Sequence, residues 1–383
     1  MRIVFVSNYF NHHQVAICDE LYQLSDGHFL FVETEEMSDM RKKLGYSVLE
    51  RPYIMRVWAD PEMKTKALDY CAKADVLIAG GGSFVVEYEK ERLMKGKLTL
   101  EYAERSLKKG WINLFSPTNI KMQLYYHLFF YDKPFFKLCA SAFTAKDMYV
   151  QRAFVGRCYK YGYFPRTQEI SDIEKFMDAK YAEKRLRIVW CARFLDWKHP
   201  ELVVRMAEQL VKLGYDFEVN MIGSGELQDK IDFMIRQKHL FDHVHLLGSI
   251  PNRNVMEEMA RSQVFLFTSD RNEGWGVVLN EAMGQGCCPV VSNMVGAAPY
   301  LIDNKKNGLL FESENLDALV ENMKYLLDHP DDCQQMAKQA YQSISTLWSP
   351  QTAAKRLYEF CESYLKGDMI NYAEGPMSVA QLL

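Results

Sequence analysis

Ser269-Asp270-Arg271-Asn272-Glu273-Gly274-Trp275-Gly276-Val277-Val278-Leu279-Asn280-Glu281-Ala282-Met283-Gly284-Gln285-Gly286 decides how this chain is read. The apolar run Val264 to Phe267 just before it predicts a buried strand. Gly274 and Gly276 then mark a turn where backbone can come close to another group. Val277, Val278 and Ala282 return at helical spacing, and Gly286 closes the segment as a C-terminal cap would. Strand, glycine turn and helix in that order aim backbone N–H groups and a positive helix end at an anion, typically a phosphate.

Glu273 and Glu281 bracket the turn, with seven residues between them. A carboxylate accepts hydrogen bonds from two hydroxyls, so each suits a sugar or ribose diol. Taken singly, each also reads as an acid favoured by the helix dipole or as a solvated helix side chain. Upstream, Arg193 and Lys198 follow the predicted strand Arg187–Cys191. Two cations at the carboxyl end of a strand suit a diphosphate, Arg as a planar fork and Lys as a point charge. A pair of surface cations is the competing reading.

The second half of the chain alternates strands and helices throughout. Phe217–Ile222 feeds Gly223-Ser224-Gly225, and Val244–Leu247 ends at Gly248. Gly223-Ser224-Gly225 lacks the third glycine of a dinucleotide fingerprint, so NAD binding has no support. Residues 186–330, with Met221–Glu226, Val244–Gly248, the opening stretch, Gly296 and Asn307–Leu310 in order, resemble the retaining glycosyltransferases of family 4.

That resemblance implies the GT-B fold: α/β, with two Rossmann-like domains facing a central cleft and a C-terminal helix crossing back to the first domain. It implies an acceptor-binding domain at 1–165, a donor-binding domain at 166–349, and the returning helix plus tail at 350–383. It implies a catalytic set of Glu273 on the donor sugar, with Arg193 and Lys198 on the diphosphate. Glu281 would hold the ribose. Gly274, Trp275, Gly276, Val277, Val278 and Gly223 would bind the donor, the amides near Gly276–Val278 stabilising the leaving group. Ile250 would cover one face of a uracil. The implied reaction is transfer of a sugar from a nucleotide diphosphate sugar, UDP more than GDP, to a glycan or lipid-linked acceptor in polysaccharide or glycolipid synthesis. Retention would come from front-face attack, with a covalent glycosyl-enzyme as rival. No Asp-x-Asp sequence occurs. The expectation is therefore a metal-independent enzyme with no cofactor, the cations and helix amides stabilising the leaving group. A sugar-nucleotide epimerase or hydrolase, or a non-catalytic nucleotide-sugar-binding partner, are the alternative functions.

The first half alternates too: Arg2–Ser7, His28–Thr34, Asp75–Ala79 and Trp111–Phe115 read as strands, with a helix at Val15–Leu24. Alternation predicts a parallel sheet covered by helices, with ligands at the carboxyl ends of its strands. Asn8–Gln14, Gly80–Ser83 and Phe115–Asn119 are then candidate site loops. Asn11, His12 and His13 are candidate acceptor-hydroxyl ligands. Adjacent His side chains should diverge, so a metal site is not expected there.

The chain has 383 residues, 48% hydrophobic and 25% charged, which suits two soluble domains. No apolar run reaches the roughly 18 residues of a membrane span. The N-terminus reads as a strand and not a signal peptide. Nine cysteines without a C-x-x-C pair read as reduced, buried thiols, which predicts the cytoplasm. The net charge of −4 argues against nucleic acid, for which no motif is present either. It is uneven: residues 105–160 carry ten basic and two acidic residues. Within them, Leu124–Lys137 interleaves aromatics with Lys133 and Lys137. This suits peripheral contact of 105–160 with an anionic surface, at the inner face of the plasma membrane, and equally a core of Leu128, Phe129 and Phe136 with the lysines as a solvated face. The tail from Lys366 reads as loosely ordered.

Overall fold

The computed structural model describes residues 1–38, 48–80, 85–183 and 185–383. The expected loop residues Gly81, Gly82 and Ser83 lie outside the described residues. The chain divides into two units, Met1–Arg166 with Leu347–Leu383, and Thr167–Thr346.

The first unit is built on a parallel sheet of seven strands: β1 Ile3–Ser7, β2 Phe29–Glu33, β3 Ile54–Arg56, β4 Val76–Gly80, β5 Thr99–Ala103, β6 Phe135–Cys139 and β7 Cys158–Lys160. Their order is β3-β2-β1-β4-β5-β6-β7. Every residue of β1 and β4 is buried, as the unbroken apolar runs of a sheet covered on both faces require. Register places Val4 between Leu30 and Leu77.

Two expectations for this half fail. Trp111–Phe115 is a five-residue 3-10 helix rather than a strand. It follows Gly110 at a positive φ of 83° and leads into the helix Pro117–Phe129, which Ser116 caps. Those flanking turn residues outweigh its apolar content. The sheet continues instead through β5 and β6. Lys137, expected at a surface, sits on β6 and is only 3% exposed. Its Nζ donates to Glu101 Oε1 of β5 at 2.8 Å.

The terminal helix Pro350–Leu365 packs against the helix His12–Leu24 of the same unit. Phe360 also meets Tyr159 with ring centroids 4.8 Å apart. The tail beyond it is ordered, contrary to expectation. Lys160 N donates to Ser378 O at 2.8 Å and Ala380 N to Cys158 O at 2.9 Å, so the tail pairs with β7. β7 is the edge strand, and its backbone groups need such partners.

The second unit has a six-stranded parallel sheet: β8 Leu186–Cys191, β9 Phe217–Ile222, β10 Val244–Gly248, β11 Val264–Phe267, β12 Cys288–Ser292 and β13 Leu309–Phe311. The order is β10-β9-β8-β11-β12-β13. Chain direction across the sheet reverses between β8 and β11, where Val264 pairs with Ile188. Such a switch point leaves a crevice at the carboxyl ends of both strands. The core under it includes Ile188, Trp190, Met221, Leu266 and Val290, all at most 1% exposed. All nine cysteines are free, and only Cys191 is not fully buried.

Candidate active site

The loops that leave β8 and β11 are joined at several points. Trp190 Nε1 donates to Thr268 Oγ1 at 2.9 Å, and that hydroxyl donates to Lys198 O at 2.6 Å. Asp270 N donates to Trp197 O at 3.0 Å, and Glu273 N to Asp270 O at 3.1 Å. Asn272 N closes the turn on Asp270 Oδ1 at 2.7 Å. These bonds fix the backbones that carry Lys198 and Glu273.

The two side chains meet: Lys198 Nζ is ion-paired and hydrogen-bonded to Glu273 Oε2. Lys198 is 8% and Glu273 9% exposed. Lys198 Nζ also lies 4.1 Å from the centroid of the Trp197 ring. A buried cation is tolerated here because carboxylate and ring face both compensate for lost water. Arg193, by contrast, is exposed and has no ion-pair partner among the described residues.

The glycines of this region answer to packing. Gly276 has φ 87°, and a Cβ there would lie 2.6 Å from the Phe267 ring. Gly223 has φ 129°, and a Cβ there would lie 2.0 Å from Ala192 O. No other residue fits either place. Gly223 N donates to Gly248 O at 2.9 Å. Ser224 Oγ and Ser249 Oγ are 2.7 Å apart, which ties the loop carrying half-buried Ile250 to the one after β9.

Downstream, the helix runs Val278–Gly284, with Gly286 at φ 71° past its end. Gly276, Val277 and Val278 are half-buried, and Gly274 is buried. Trp275 is 1% exposed and its Nε1 donates to Asn280 Oδ1 at 2.8 Å. Its side chain is therefore a core group, which leaves its backbone for any donor contact. Glu281 lies in the first turn of the helix. Burial pushes its carboxyl up to about 7, against a lowering hydrogen bond from Asn252.

Asn11, His12 and His13 belong to the first unit and differ from the expected loop. Asn11 caps the helix His12–Leu24: His13 N donates to Asn11 Oδ1 at 3.0 Å, and Asn11 N to Gln14 Oε1 at 3.2 Å. This Asn-x-x-Gln capping box was readable in the sequence. Its side-chain oxygen is engaged in the cap. The two imidazoles do not diverge; their centroids are 3.7 Å apart. Burial lowers both, His13 to about 3 with His12 as a second cause, so both rings are neutral at pH 7.

Sequence reasoning missed His199. It occupies left-handed backbone at φ 49° before the helix Pro200–Lys212. Its Nδ1 lies 3.0 Å from Glu201 Oε1 and its Nε2 3.6 Å from Asp270 Oδ2. Asn252 was missed as well, since only the fold brings it to Glu281.

Residues 172–343, less than half of the chain, match the family of glycosyl transferases group 1. The putative colanic acid biosynthesis glycosyltransferase WcaL of Escherichia coli is 29% identical over 143 residues, 36% of this chain and 35% of that protein. A Campylobacter jejuni enzyme, N-acetylgalactosamine-N,N'-diacetylbacillosaminyl-diphospho-undecaprenol 4-alpha-N-acetylgalactosaminyltransferase, is 29% identical over 117 residues, 30% of this chain and 31% of that protein. The chain thus spans about a third of the length of these relatives. Anabaena Alr3699/HepE in complex with UDP superposes with a TM-score of 0.71 at 15% identity, covering 95% of this chain and 100% of that one. The fold is accordingly that of the GT-B glycosyltransferases, two Rossmann-like α/β units each with a parallel sheet.

Proposed function

We propose that this protein is a retaining glycosyltransferase of family 4. It takes a sugar from a nucleotide diphosphate sugar, with UDP as the preferred carrier, and passes it to a glycan or lipid-linked acceptor in polysaccharide or glycolipid synthesis. The observation that carries this reading is the buried Lys198–Glu273 pair at the switch point of the second sheet, inside the segment that matches group 1 glycosyl transferases. The likeness to WcaL and to HepE with UDP supports polysaccharide synthesis and the carrier. The diphospho-undecaprenol in the name of the Campylobacter relative supports a lipid-linked one.

Each residue has a role that its environment suits. Arg193 is exposed and forked, so it can reach the diphosphate bidentately. Lys198 supplies a second cation near the bond that breaks. Glu273 accepts from donor-sugar hydroxyls while it orients Lys198. Glu281 takes the ribose diol. The C1–O bond to the distal phosphate breaks, and its electron pair leaves with the nucleotide diphosphate. The acceptor oxygen bonds C1 from the same face and its proton passes to the leaving phosphate. Negative charge grows on that phosphate, where preorganised cations act most strongly. No metal or other cofactor is required by this scheme. Asn11, His12 and His13 remain the proposed acceptor contacts, with His12 and His13 as neutral hydrogen-bonding rings. The proposed location is the cytoplasm, with peripheral attachment through 105–160. No described helix is long and apolar enough to cross a membrane.

A screen of UDP-, GDP- and ADP-sugars for donor hydrolysis, and for transfer to lipid-linked and soluble saccharides, tests the reading. Turnover of one donor class with retained anomeric configuration is expected. No turnover of any, or inversion, would overturn it.

A further inference from the structure

Four side chains of the second unit converge on one point. His199 lies on the loop after β8, Asp270 on the loop after β11 and Glu314 on the loop after β13. His199 Nε2 is 3.6 Å from Asp270 Oδ2 and 4.0 Å from Glu314 Oε1. One ligand atom from each of the three falls within 4.8 Å of the others. Glu201 is the fourth, its Oε1 3.0 Å from His199 Nδ1.

The Glu201 contact fixes the imidazole. Nδ1–H donates to that carboxylate, which leaves Nε2 as the free ring nitrogen. Nε2 is buried and makes no hydrogen bond among the described residues. In the neutral ring its lone pair faces two carboxylate oxygens, at separations too long for hydrogen bonds. A cation between them relieves that arrangement. A proton on Nε2 balances one carboxylate, whereas a divalent ion balances two. The spacing suits an ion, since ligand atoms around a tetrahedral zinc stand roughly 3.3 Å apart at bonds of about 2.0–2.2 Å. Asp270 Oδ2 accepts from Asn272 Nδ2 at 3.2 Å, which holds that carboxylate still. The Glu314 side chain is 65% exposed and free to close the remaining gap. His199 at φ 49° and Glu314 at φ 65° both hold left-handed backbone, which residues other than glycine rarely adopt.

We infer that His199, Asp270 and Glu314 form a binding site for a divalent transition-metal ion of the zinc type, with Glu201 orienting the imidazole. An imidazole with two carboxylates selects such an ion over magnesium, and water completes the four-coordinate shell. A carboxylate on the other ring nitrogen is the usual partner of a metal-bound histidine. The ion clasps the loops that leave β8, β11 and β13 and stabilises them. It takes no part in the transfer scheme, which draws on Arg193 and Lys198. In the chelated protein a proton on Nε2 takes its place.

Calorimetric titration of zinc into the chelator-stripped full chain tests the site, with UDP titrated into the same samples to read the donor crevice separately. The wild type should bind one zinc ion per chain and melt at a higher temperature with it. Magnesium at the same concentration should do neither. Glu201→Gln should lower zinc affinity about 10- to 100-fold. Glu314→Gln, at an exposed position that leaves the fold intact, should weaken it at least as far. His199→Asn should lose the site, Asn being a residue that tolerates left-handed backbone. Absence of zinc binding by the wild type overturns the assignment, as does wild-type affinity in either His199→Asn or Glu314→Gln. A thiolate-to-metal absorption band on cobalt loading would place the ion on cysteine and overturn it too.

Discussion

Lys198 and Glu273 stand 75 positions apart in the chain and form one buried ion pair between the loops that leave β8 and β11. The pair makes their roles dependent on each other. Glu273 holds Lys198 in place, and Lys198 gives the buried Glu273 side chain its charged partner. On the proposed reading, a donor diphosphate entering here would meet an oriented lysine whose charge is already partly balanced.

Breaking the pair from one side should be costly. Lys198→Met leaves a buried carboxylate alone, and about 3–5 kcal/mol of unfolding stability should be lost. Lys198→Met/Glu273→Gln should recover a large part of that loss. Urea unfolding of the two single variants and the double variant measures the coupling. Additive losses would mean that the two side chains do not interact.

Glu273→Gln should separate binding from chemistry. It frees Lys198 for the diphosphate, so affinity for free nucleotide should hold or rise. Turnover should fall by about 10²-fold, the typical cost of removing one oriented polar group acting on a transition state. Equal falls in nucleotide affinity and turnover would place Glu273 on the nucleotide rather than the sugar.

Glu281 should give nucleotide binding a pH dependence. Its carboxyl is raised to about 7 by burial, so it is largely neutral at pH 6 and ionised at pH 8. Only the carboxylate accepts from both ribose hydroxyls, so affinity should rise through this interval. Calorimetry of UDP from pH 6 to pH 8 checks this, and Glu281→Gln should flatten the curve.

His199 carries a stability term of opposite pH sense. Its hydrogen bond to Glu201 comes first in raising its pKa, with Glu201, Glu314 and Asp270 adding charge and burial opposing. A raised folded pKa means the contribution is full below the unfolded value near 6.5 and is lost as pH rises through the folded value. His199→Gln should therefore cost more at pH 6 than at pH 9. The difference should be on the order of 1 kcal/mol, since desolvation of the ring opposes the gain from its acidic partners. Thermal melts across that range measure it.

Much of the second unit was legible because its strands are short apolar runs bounded by glycines. Val264–Phe267, Gly276 and Gly286 stand where their residue types predict. Contacts that only tertiary structure makes were not legible. Nothing local distinguishes Lys198 next to Glu273 from a surface lysine, or announces that Asn252 reaches Glu281. The inward turn of Trp275 was not legible either, because its indole bond to Asn280 forms only in the folded turn. In the first unit, β6 was hidden by its charge: Phe135–Cys139 contains Lys137, whose buried partner Glu101 lies on another strand. The capping box of Asn11 and Gln14 was also present in the sequence but went unread.

Chelation should leave turnover largely intact, since Arg193, Lys198 and backbone amides neutralise the leaving group in this scheme. Assay with EDTA, then with added manganese or magnesium, checks this. Loss of activity that either ion restores would assign the leaving group to a metal.

The central claim is that the β8–β11 crevice binds a nucleotide diphosphate through its cations, and Arg193→Ala tests it most directly. Arg193 is exposed and unpaired among the described residues, so its removal should not disturb the fold. A charge-assisted hydrogen bond is worth about 1.5–3 kcal/mol, which corresponds to roughly tenfold or more in affinity. Calorimetric titration of UDP, GDP and ADP into wild type and Arg193→Ala is the measurement. The account predicts that at least one of the three binds the wild type, and that its affinity drops at least about tenfold in the variant with no change in melting temperature. Binding of none, or equal affinity in both proteins, would contradict it.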